Sequence, residues 1–239
     1  CIMGGWEQRQ IIGHRNLEEL QNILDRYSSR VRKEDCLDLP EKIFLERNYE
    51  LTPEQEFHYN NIRQEFMTEL ENGEIWTVAR AAERYMRLQQ IMDGFLMVDG
   101  KTTRIPTNKI NLVKDVVENS DRKIVIWAKY YESMDIVSDA LREMGIKFQE
   151  YSGRKNEKQK DEAKHLFKTD PTVQVMVANR SMDRGHNLTE GKISFWYTIP
   201  ESLDSHDQSN DRFHRAGQDE EVFVIYAVTK NKADRKVLN

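Results

Sequence analysis

The apolar residues of this chain change their spacing near residue 122, and this change constrains the fold more than any other feature. Downstream of it, continuous apolar runs of strand length alternate with amphipathic segments of helical length. Runs that are apolar on both faces are typical of strands in a parallel sheet that helices cover on both sides. The predicted strands are residues 124–128, 148–151, 173–178, 193–197 and 222–228, and the predicted helices are residues 134–144, 156–168 and 205–215. The sequence therefore predicts an α/β domain with a doubly wound parallel sheet.

In the first half of the chain, apolar residues recur at helical spacing instead. Patterns typical of helix N-termini begin at Asn16 and Thr52. Further helices are predicted near residues 77–92 and 107–118, and a short extended piece, residues 42–51, lies between the first two helices. The predicted organisation is a short N-terminal part at residues 1–38, a mostly helical linker or protrusion at residues 39–119, and the sheet domain at residues 120–239.

The composition excludes several classes of protein. No apolar stretch approaches the roughly 20 residues that a membrane span needs, so no membrane role is expected. The 36 Lys and Arg against 41 Asp and Glu give a net charge of -5, which argues against coating nucleic acid by bulk charge but allows a local basic groove. The two cysteines, Cys1 and Cys36, form neither a disulfide framework nor a metal-ligand cluster. We expect no metal site and an intracellular setting, either cytoplasmic or nucleoid-associated.

Two polar stretches are candidates for function, and the first follows the predicted strand 173–178. In open parallel sheets, functional groups lie on loops beyond the carboxyl ends of the strands. Residues 179–189 form such a loop, in which Gly185 permits close backbone approach and Asn187 offers donors to a ribose or phosphate. The alternative is a plain connection between two elements.

The second candidate stretch is residues 208–218. If it is helical, residues at positions i, i+3, i+4 and i+7 lie on one face. These residues are Gln208, Asp211, Arg212 and Arg215. Two arginines and a glutamine on one face indicate a surface that holds an anion, because the guanidinium fork suits phosphoryl oxygens. The alternative is a solvated helix face with an Asp–Arg pair.

Taken together, these segments resemble the second RecA-like lobe of superfamily-two helicases, and most closely that of Swi/Snf-type DNA translocases. The sixth motif of that family has the form Q-x-x-D-R-x-H-R-x-G-Q, and residues 208–218 match all seven specified positions. Residues 123–128, 148–153 and 182–189 resemble earlier motifs in the same order. Residues 39–59 and 87–109 resemble more weakly the segments that lead out of lobe one and back into lobe two.

The resemblance implies a role for individual residues. It implies that Arg212 and Arg215 are catalytic and reach across an interlobe cleft to the γ-phosphate of ATP. The residues that it assigns to nucleotide binding and coupling are Gly185, Asn187, Gln208 and Asp211. It also implies that residues 1–38 are the tail of a first RecA-like lobe. Residues 199–202 read Ile-Pro-Glu-Ser where family members usually have Asn-Pro, so this loop departs from the pattern.

The resemblance further implies ATP and Mg²⁺ as cofactors, but the sequence contains neither a phosphate loop nor a D-E-x-H magnesium motif. Residues 100–102, Gly-Lys-Thr, end like a phosphate loop, yet the motif requires a glycine at the position of Phe95. The chain also begins at Cys1, with no initiator Met. We therefore expect a fragment of a longer protein, with ATP and Mg²⁺ bound mainly by the missing first lobe and no activity in the fragment alone.

Contacts to DNA are expected to involve phosphate groups, because a translocase must be indifferent to sequence. Basic residues cluster over one loop and helix, and they are Arg154, Lys155, Lys158, Lys160, Lys164 and Lys168. The distal lysines are interpreted as a solvated helix face. The predicted DNA-binding residues are Ser133, Arg154, Lys155 and Arg180.

The function implied by the family is ATP hydrolysis coupled to movement on duplex DNA, with a DNA-bound protein as a possible further substrate. One alternative is a strand-separating or restriction-type helicase of the same superfamily. A second alternative is a lobe that binds nucleic acid without catalysis.

Overall fold

The structure of the chain is a computed structural model. It describes residues 2–4, 10–13, 15–28, 39–71, 78–98, 100–182, 188–200, 206, 209–215, 217–230 and 233. The chain divides into two compact units, Cys1–Asp38 and Leu39–Asn239. No helix among these described residues is both long enough and apolar enough to span a bilayer.

The first unit contains a two-stranded antiparallel sheet, with β1 at Ile2–Gly4 and β2 at Gln10–Gly13, and the helix α1 at Leu17–Tyr27. The helix begins as predicted, but the side chain of Asn16 does not cap it. Asn16 has a left-handed backbone with φ 55°. Its Nδ2 instead donates to Glu19 Oε2 at 3.0 Å.

The second unit is built on a parallel sheet. Its strands are β3 at Lys42–Tyr49, β4 at Phe95–Val98, β5 at Lys101–Arg104, β6 at Ile124–Trp127, β7 at Phe148–Tyr151, β8 at Val175–Ala178, β9 at Ile193–Trp196 and β10 at Val222–Thr229. Six of the described strands form one sheet in the order β3-β10-β9-β6-β8-β7, and every neighbouring pair is parallel. The predicted α/β class with a RecA-like parallel sheet is confirmed.

Helices pack on both faces of this sheet. They are α2 at Pro53–Glu71, α3 at Val78–Asp93, α4 at Lys109–Glu118, α5 at Tyr131–Glu143 and α6 at Glu157–Thr169. The predicted start of α2 is confirmed, since Gln55 N donates to Thr52 Oγ1 at 3.2 Å and Thr52 N donates to Gln55 Oε1 at 3.0 Å. These two bonds satisfy backbone donors that the first turn of a helix leaves without intrahelical partners.

The two faces of the sheet have separate apolar cores because side chains alternate along each strand. On one face, Ile126 and Phe195 belong to a cluster that includes residues of α4 and α5. On the other face, Trp127 and Trp196 stack with ring centroids 5.3 Å apart and belong to a cluster that includes Phe167 of α6. This second face carries the candidate site.

The structure corrects the predicted boundary at residues 119 and 120. Strand β3 lies in the segment predicted to be a linker, yet it pairs with β10 along its whole length, from Lys42 opposite Val222 to Tyr49 opposite Thr229. Helix α4 also contributes to the core of the sheet. The predicted protrusion therefore begins and ends within the sheet unit.

The phosphate-loop lookalike at residues 100–102 is part of a hairpin. Strands β4 and β5 pair antiparallel, with Val98 opposite Lys101, and Gly100 has φ 73° between them. A positive φ at this turn explains the glycine. No helix begins at Thr102, which lies within β5.

Candidate functional site

Residues 209–215, called the arginine segment below, do not continue as the predicted regular helix. Ser209 and Asn210 are helical, but residues 211–213 form a turn and residues 214–215 a bend. The backbone hydrogen bonds join residues three positions apart and not four, as an α-helix would require. Arg212 N donates to Ser209 O at 3.1 Å, and Phe213 N donates to Asn210 O at 3.2 Å. The prediction that Asp211, Arg212 and Arg215 share one face of a regular helix is therefore wrong. Gln208 lies outside the described residues.

Buried side chains attach the beginning of the arginine segment to the sheet. Asn210 Oδ1 accepts hydrogen bonds from Trp196 Nε1 at 3.1 Å and from Ser194 Oγ at 3.0 Å. Ser194 Oγ in turn accepts from Trp127 Nε1 at 3.0 Å. An indole N–H can only donate, so the oxygen of the Asn210 amide faces the strands. The two tryptophans thereby fix the orientation of this amide.

Phe213 anchors the middle of the segment. It is fully buried and packs edge-on against Trp127, with centroids 6.4 Å apart and an interplanar angle of 80°. A Cβ at Gly191 would lie 2.6 Å from the Phe213 ring. Only glycine permits this close approach. Sequence reasoning did not identify Gly191, although a glycine directly before a strand is a signal for such contact.

Gln218, the last residue of the motif, closes the segment. Its Nε2 donates to Phe213 O at 2.9 Å and to Thr189 O at 3.2 Å. Its Oε1 accepts from Lys192 Nζ. Leu188 N also donates to Arg212 O at 3.1 Å. The motif's final glutamine thus joins the arginine segment to the residues that precede β9.

The two arginines have different surroundings. The Arg212 side chain is buried, with 7% of the residue exposed. Arg215 is half-buried, and its Nε donates to Asp211 O at 3.1 Å. Among the residues that the structure describes, no carboxylate forms an ion pair with Arg215. Its terminal N–H groups can therefore donate hydrogen bonds to an anion without first breaking an ion pair with a described carboxylate.

Two contacts connect the arginine segment to the start of β3. Lys42 Nζ lies 3.3 Å from Asp211 Oδ1. His214 Nε2 lies 2.7 Å from Pro40 O. Since a carbonyl oxygen can only accept, this imidazole nitrogen must carry the proton. Asp211, predicted to bind nucleotide, thus has a lysine partner within its own unit.

The two candidate stretches contact the strands of the sheet at different positions. Residues 180–182 form a short 3₁₀ helix directly beyond the carboxyl end of β8, where Ser181 N donates to Asn179 Oδ1 at 3.1 Å. The arginine segment contacts Lys42 and the residues before β9 at the amino ends of their strands, and its Asn210 also contacts Trp196 at the carboxyl end of β9. Gly185 and Asn187 lie outside the described residues.

Among the predicted DNA-binding residues, Ser133 is buried. Its Oγ donates to Asp93 Oδ2 at 2.7 Å. The hydroxyl is therefore engaged inside the unit and is not presented to a ligand. Arg180 lies in the 3₁₀ helix beyond β8, a position that suits a loop contact.

Arg154 and Lys155 lie among carboxylates. Arg154 Nη2 lies 2.5 Å from Asp135 Oδ1, and its Nε lies 2.7 Å from Glu150 Oε1. Hydrogen bonds to Glu150 and Asp135 raise the pKa of Arg154 above its usual value. Lys155 Nζ lies 3.8 Å from Glu150 Oε2. Two positive and two negative charges balance here, which the basic run in the sequence did not indicate.

No group of three or more His, Cys, Asp or Glu residues within the described parts of the chain is placed to hold a metal ion. No described residue is therefore assigned to Mg²⁺.

Comparison with known proteins shows what this chain is similar to. The family described as helicase conserved C-terminal domain matches residues 108–217. An uncharacterized ATP-dependent helicase of Mycoplasma pneumoniae is 25% identical over 222 residues, which are 90% of this chain and 21% of that protein. The chromatin-remodeling ATPase INO80 of Candida albicans is 26% identical over 148 residues, which are 62% of this chain and 10% of that protein. The chain thus spans about a fifth or less of the length of these relatives.

A solved structure has the same fold. The Sulfolobus solfataricus SWI2/SNF2 ATPase core, determined in complex with dsDNA, superposes with a TM-score of 0.69 at 22% identity. The match covers 92% of this chain and 48% of that one. The family match, the relatives and the fold agree with the complete sixth motif. Residues 108–217 therefore match the helicase conserved C-terminal domain, and the chain is similar to the C-terminal lobe of Swi/Snf-type superfamily-two helicases.

Proposed function

We propose that this chain forms the second lobe of a DNA-dependent ATPase that couples ATP hydrolysis to movement on duplex DNA. The observation that carries the proposal is the half-buried Arg215, which lies in a fully matched sixth motif and has no ion pair with a described carboxylate. The names of the curated relatives support ATP use, since one is an ATP-dependent helicase and another a chromatin-remodeling ATPase.

The chemistry follows from the guanidinium group. Phosphoryl transfer spreads charge over the equatorial oxygens of the transferred group, and catalysis consists mostly of positioning and charge stabilisation. Arg215 would donate to these oxygens as their charge grows, since its terminal amino groups are not held by a described carboxylate. Arg212 lies three residues earlier and is buried, and it would add a second positive charge at a fixed place.

An arginine pair cannot bind ATP alone with useful affinity. In related enzymes, most of the affinity for ATP comes from the backbone N–H groups of a phosphate loop, from its lysine and from Mg²⁺. We therefore propose that a preceding lobe in the same protein holds ATP and Mg²⁺, and that the arginine segment completes the site when the lobes close. We expect each cycle of ATP hydrolysis to move this lobe one step along DNA.

DNA contact is proposed for Arg180 and Lys155. Both lie beyond the carboxyl ends of strands, Arg180 after β8 and Lys155 after β7. Lys155 keeps only one distant carboxylate, at 3.8 Å, whereas Arg154 has two close ones. Contacts of this type attach to phosphates and carry no sequence preference. The dsDNA in the Sulfolobus complex supports duplex DNA as the track.

The test is an ATPase assay on the full-length protein that contains this chain. We expect turnover that duplex DNA stimulates and that does not require strand separation. Single-stranded DNA and a fluorescent unwinding substrate serve as controls. No ATP hydrolysis with any nucleic acid would contradict the proposal, and efficient unwinding would favour the strand-separating alternative.

A further inference from the structure

The arginine segment makes two separate contacts with residues 40–42, at the start of β3. Asp211 pairs with Lys42, and His214 donates to the carbonyl of Pro40. These partners are 169 and 174 residues apart in the sequence. Asp211 and His214 immediately flank Arg212 and Phe213 and precede Arg215. The contacts therefore lie on both sides of Arg212 and directly before Arg215.

Residues 40–42 provide a fixed point for these contacts. Val222 N donates to Glu41 O at 3.1 Å, and the register of β3 and β10 begins with Lys42 opposite Val222. The start of β3 is thus held by the sheet before it meets the arginine segment.

The arginine segment itself has little regular structure to hold it. Among its described residues, the backbone hydrogen bonds within the segment run from Arg212 N to Ser209 O and from Phe213 N to Asn210 O. A continuous helix would hold each residue through a ladder of bonds, but residues 211–215 lack one. Asn210 and Phe213 fix the beginning and the middle of the segment. Near Arg215, the contacts of Asp211 and His214 take over this task.

We propose that Lys42 and His214 are positioning residues for Arg215. Lys42 holds the Asp211 carboxylate, and Asp211 O accepts the hydrogen bond from Arg215 Nε. His214 holds the adjacent backbone against Pro40. This inference rests on the proposed function, and it assigns Asp211 to orienting the arginine instead of touching nucleotide. Lys42 lies in no stretch that sequence reasoning had marked as a site.

The first test compares Lys42→Met and Lys42→Arg in the full-length protein. The methionine keeps the length of the side chain and removes the charge, whereas arginine keeps the charge. We expect Lys42→Met to lower DNA-stimulated kcat by about tenfold or more, since small misplacements of reacting groups cost up to about 100-fold. The KM for ATP should stay within about twofold, and Lys42→Arg should restore most of the rate. Lys114→Met, at an exposed pair with Glu143 in the same unit, is the matched control.

His214 is tested in the same way with His214→Gln and His214→Leu. A glutamine Nε2 can still donate to the Pro40 carbonyl, whereas leucine cannot. We expect His214→Leu to lower kcat, and we expect the decrease to be smaller in His214→Gln. Equal losses in the two variants would contradict a role for the hydrogen bond.

Amide hydrogen exchange on the full-length protein separates this inference from the proposed function. The amides of Arg212, Phe213 and Gln218 are hydrogen-bonded within or next to the segment. Lys42→Met and His214→Leu should speed exchange there by about tenfold, without a change in β6 and β8. Unchanged exchange, or faster exchange with kcat within twofold of wild type, would overturn the positioning role. A wild-type protein with no ATPase activity but with the predicted exchange change would sink the proposed function and leave the contacts established.

Discussion

Lys109 Nζ lies 2.7 Å from Asp93 Oδ1, and the two side chains are 2% and 1% exposed. The ammonium group also lies over the rings of Tyr49 and Tyr197, 5.3 and 4.9 Å from their centroids. Ser133 and Thr198 donate to the other oxygen of Asp93. Asp93 is the last residue of α3 and Lys109 the first of α4, so this buried ion pair joins the end of α3 to the start of α4 within the sheet unit.

We predict that Asp93→Ala destabilises the protein severely. Removing one partner of a buried ion pair leaves the other charge uncompensated, which costs about 3–5 kcal/mol. Urea unfolding followed by circular dichroism measures the change. Glu143→Ala, at the exposed pair with Lys114, should cost no more than about 1 kcal/mol. A loss below about 1 kcal/mol for Asp93→Ala would show that the buried pair is not needed.

The carboxylate of Glu150 predicts an acid-sensitive contribution to stability. Burial raises the pKa of Glu150, but hydrogen bonds from Arg154 and Ser152 outweigh this and hold the pKa below its usual value. A lowered folded-state pKa means that the contribution is complete above the unfolded-state pKa of about 4.3. It is lost as pH falls through the lower, folded-state value.

The measurement is the free energy of unfolding of wild type and Glu150→Gln between pH 7 and pH 3. Glu150→Gln should be less stable at pH 7, and the difference should shrink as the pH falls below about 4.3. A difference that is constant over this range would rule out the ionised carboxylate as its source.

Arg180 is predicted to contact a DNA phosphate. Arg180→Ala in the full-length protein should weaken duplex binding and reduce the slope of log K against log salt by about 0.9, the value for one lost phosphate contact. Lys147→Ala is the matched control, because Lys147 is exposed and precedes β7, at the opposite end of the strands from Arg180. Fluorescence anisotropy at several salt concentrations measures both slopes. Equal slopes for Arg180→Ala and wild type would exclude this contact.

A polypeptide of residues 1–239 is predicted to have no ATPase activity of its own. The sequence contains no phosphate loop or D-E-x-H motif, and the described residues do not form a metal site. Purified polypeptide should therefore release no phosphate above background, with or without duplex DNA. DNA-stimulated turnover that is retained through further purification would contradict this expectation.

The sheet could be predicted because its central strands are apolar on both faces, as in Ile124–Trp127 and Val175–Ala178. Membership of β3 in the same sheet could not, because this edge strand is only partly buried, with Phe44 exposed. Its pairing with β10 joins segments about 180 residues apart, and a local pattern does not encode such a partner.

The candidate site was predictable in identity and not in detail. The seven matched positions located Arg212 and Arg215, but helical spacing suggested a regular face that the turn at Asp211 does not form. Ser133 was predicted to bind DNA because it lies at a helix start, and Arg154 because it lies in a loop. The local sequence did not indicate that each has an acidic partner distant in sequence. Asp93 lies 40 residues from Ser133, and Asp135 lies 19 residues from Arg154.

The most direct test of the account is DNA-stimulated kcat of the full-length protein for wild type and Arg215→Ala. A positioned arginine contributes on the order of 10³-fold or more to phosphoryl transfer, so we expect at least that loss with normal folding and normal ATP and DNA binding. Arg142→Ala, which removes an exposed arginine that forms an ion pair with Asp139, is the control and should leave kcat unchanged. A well-folded Arg215→Ala protein that binds both ligands and turns over within about twofold of wild type would contradict the central claim.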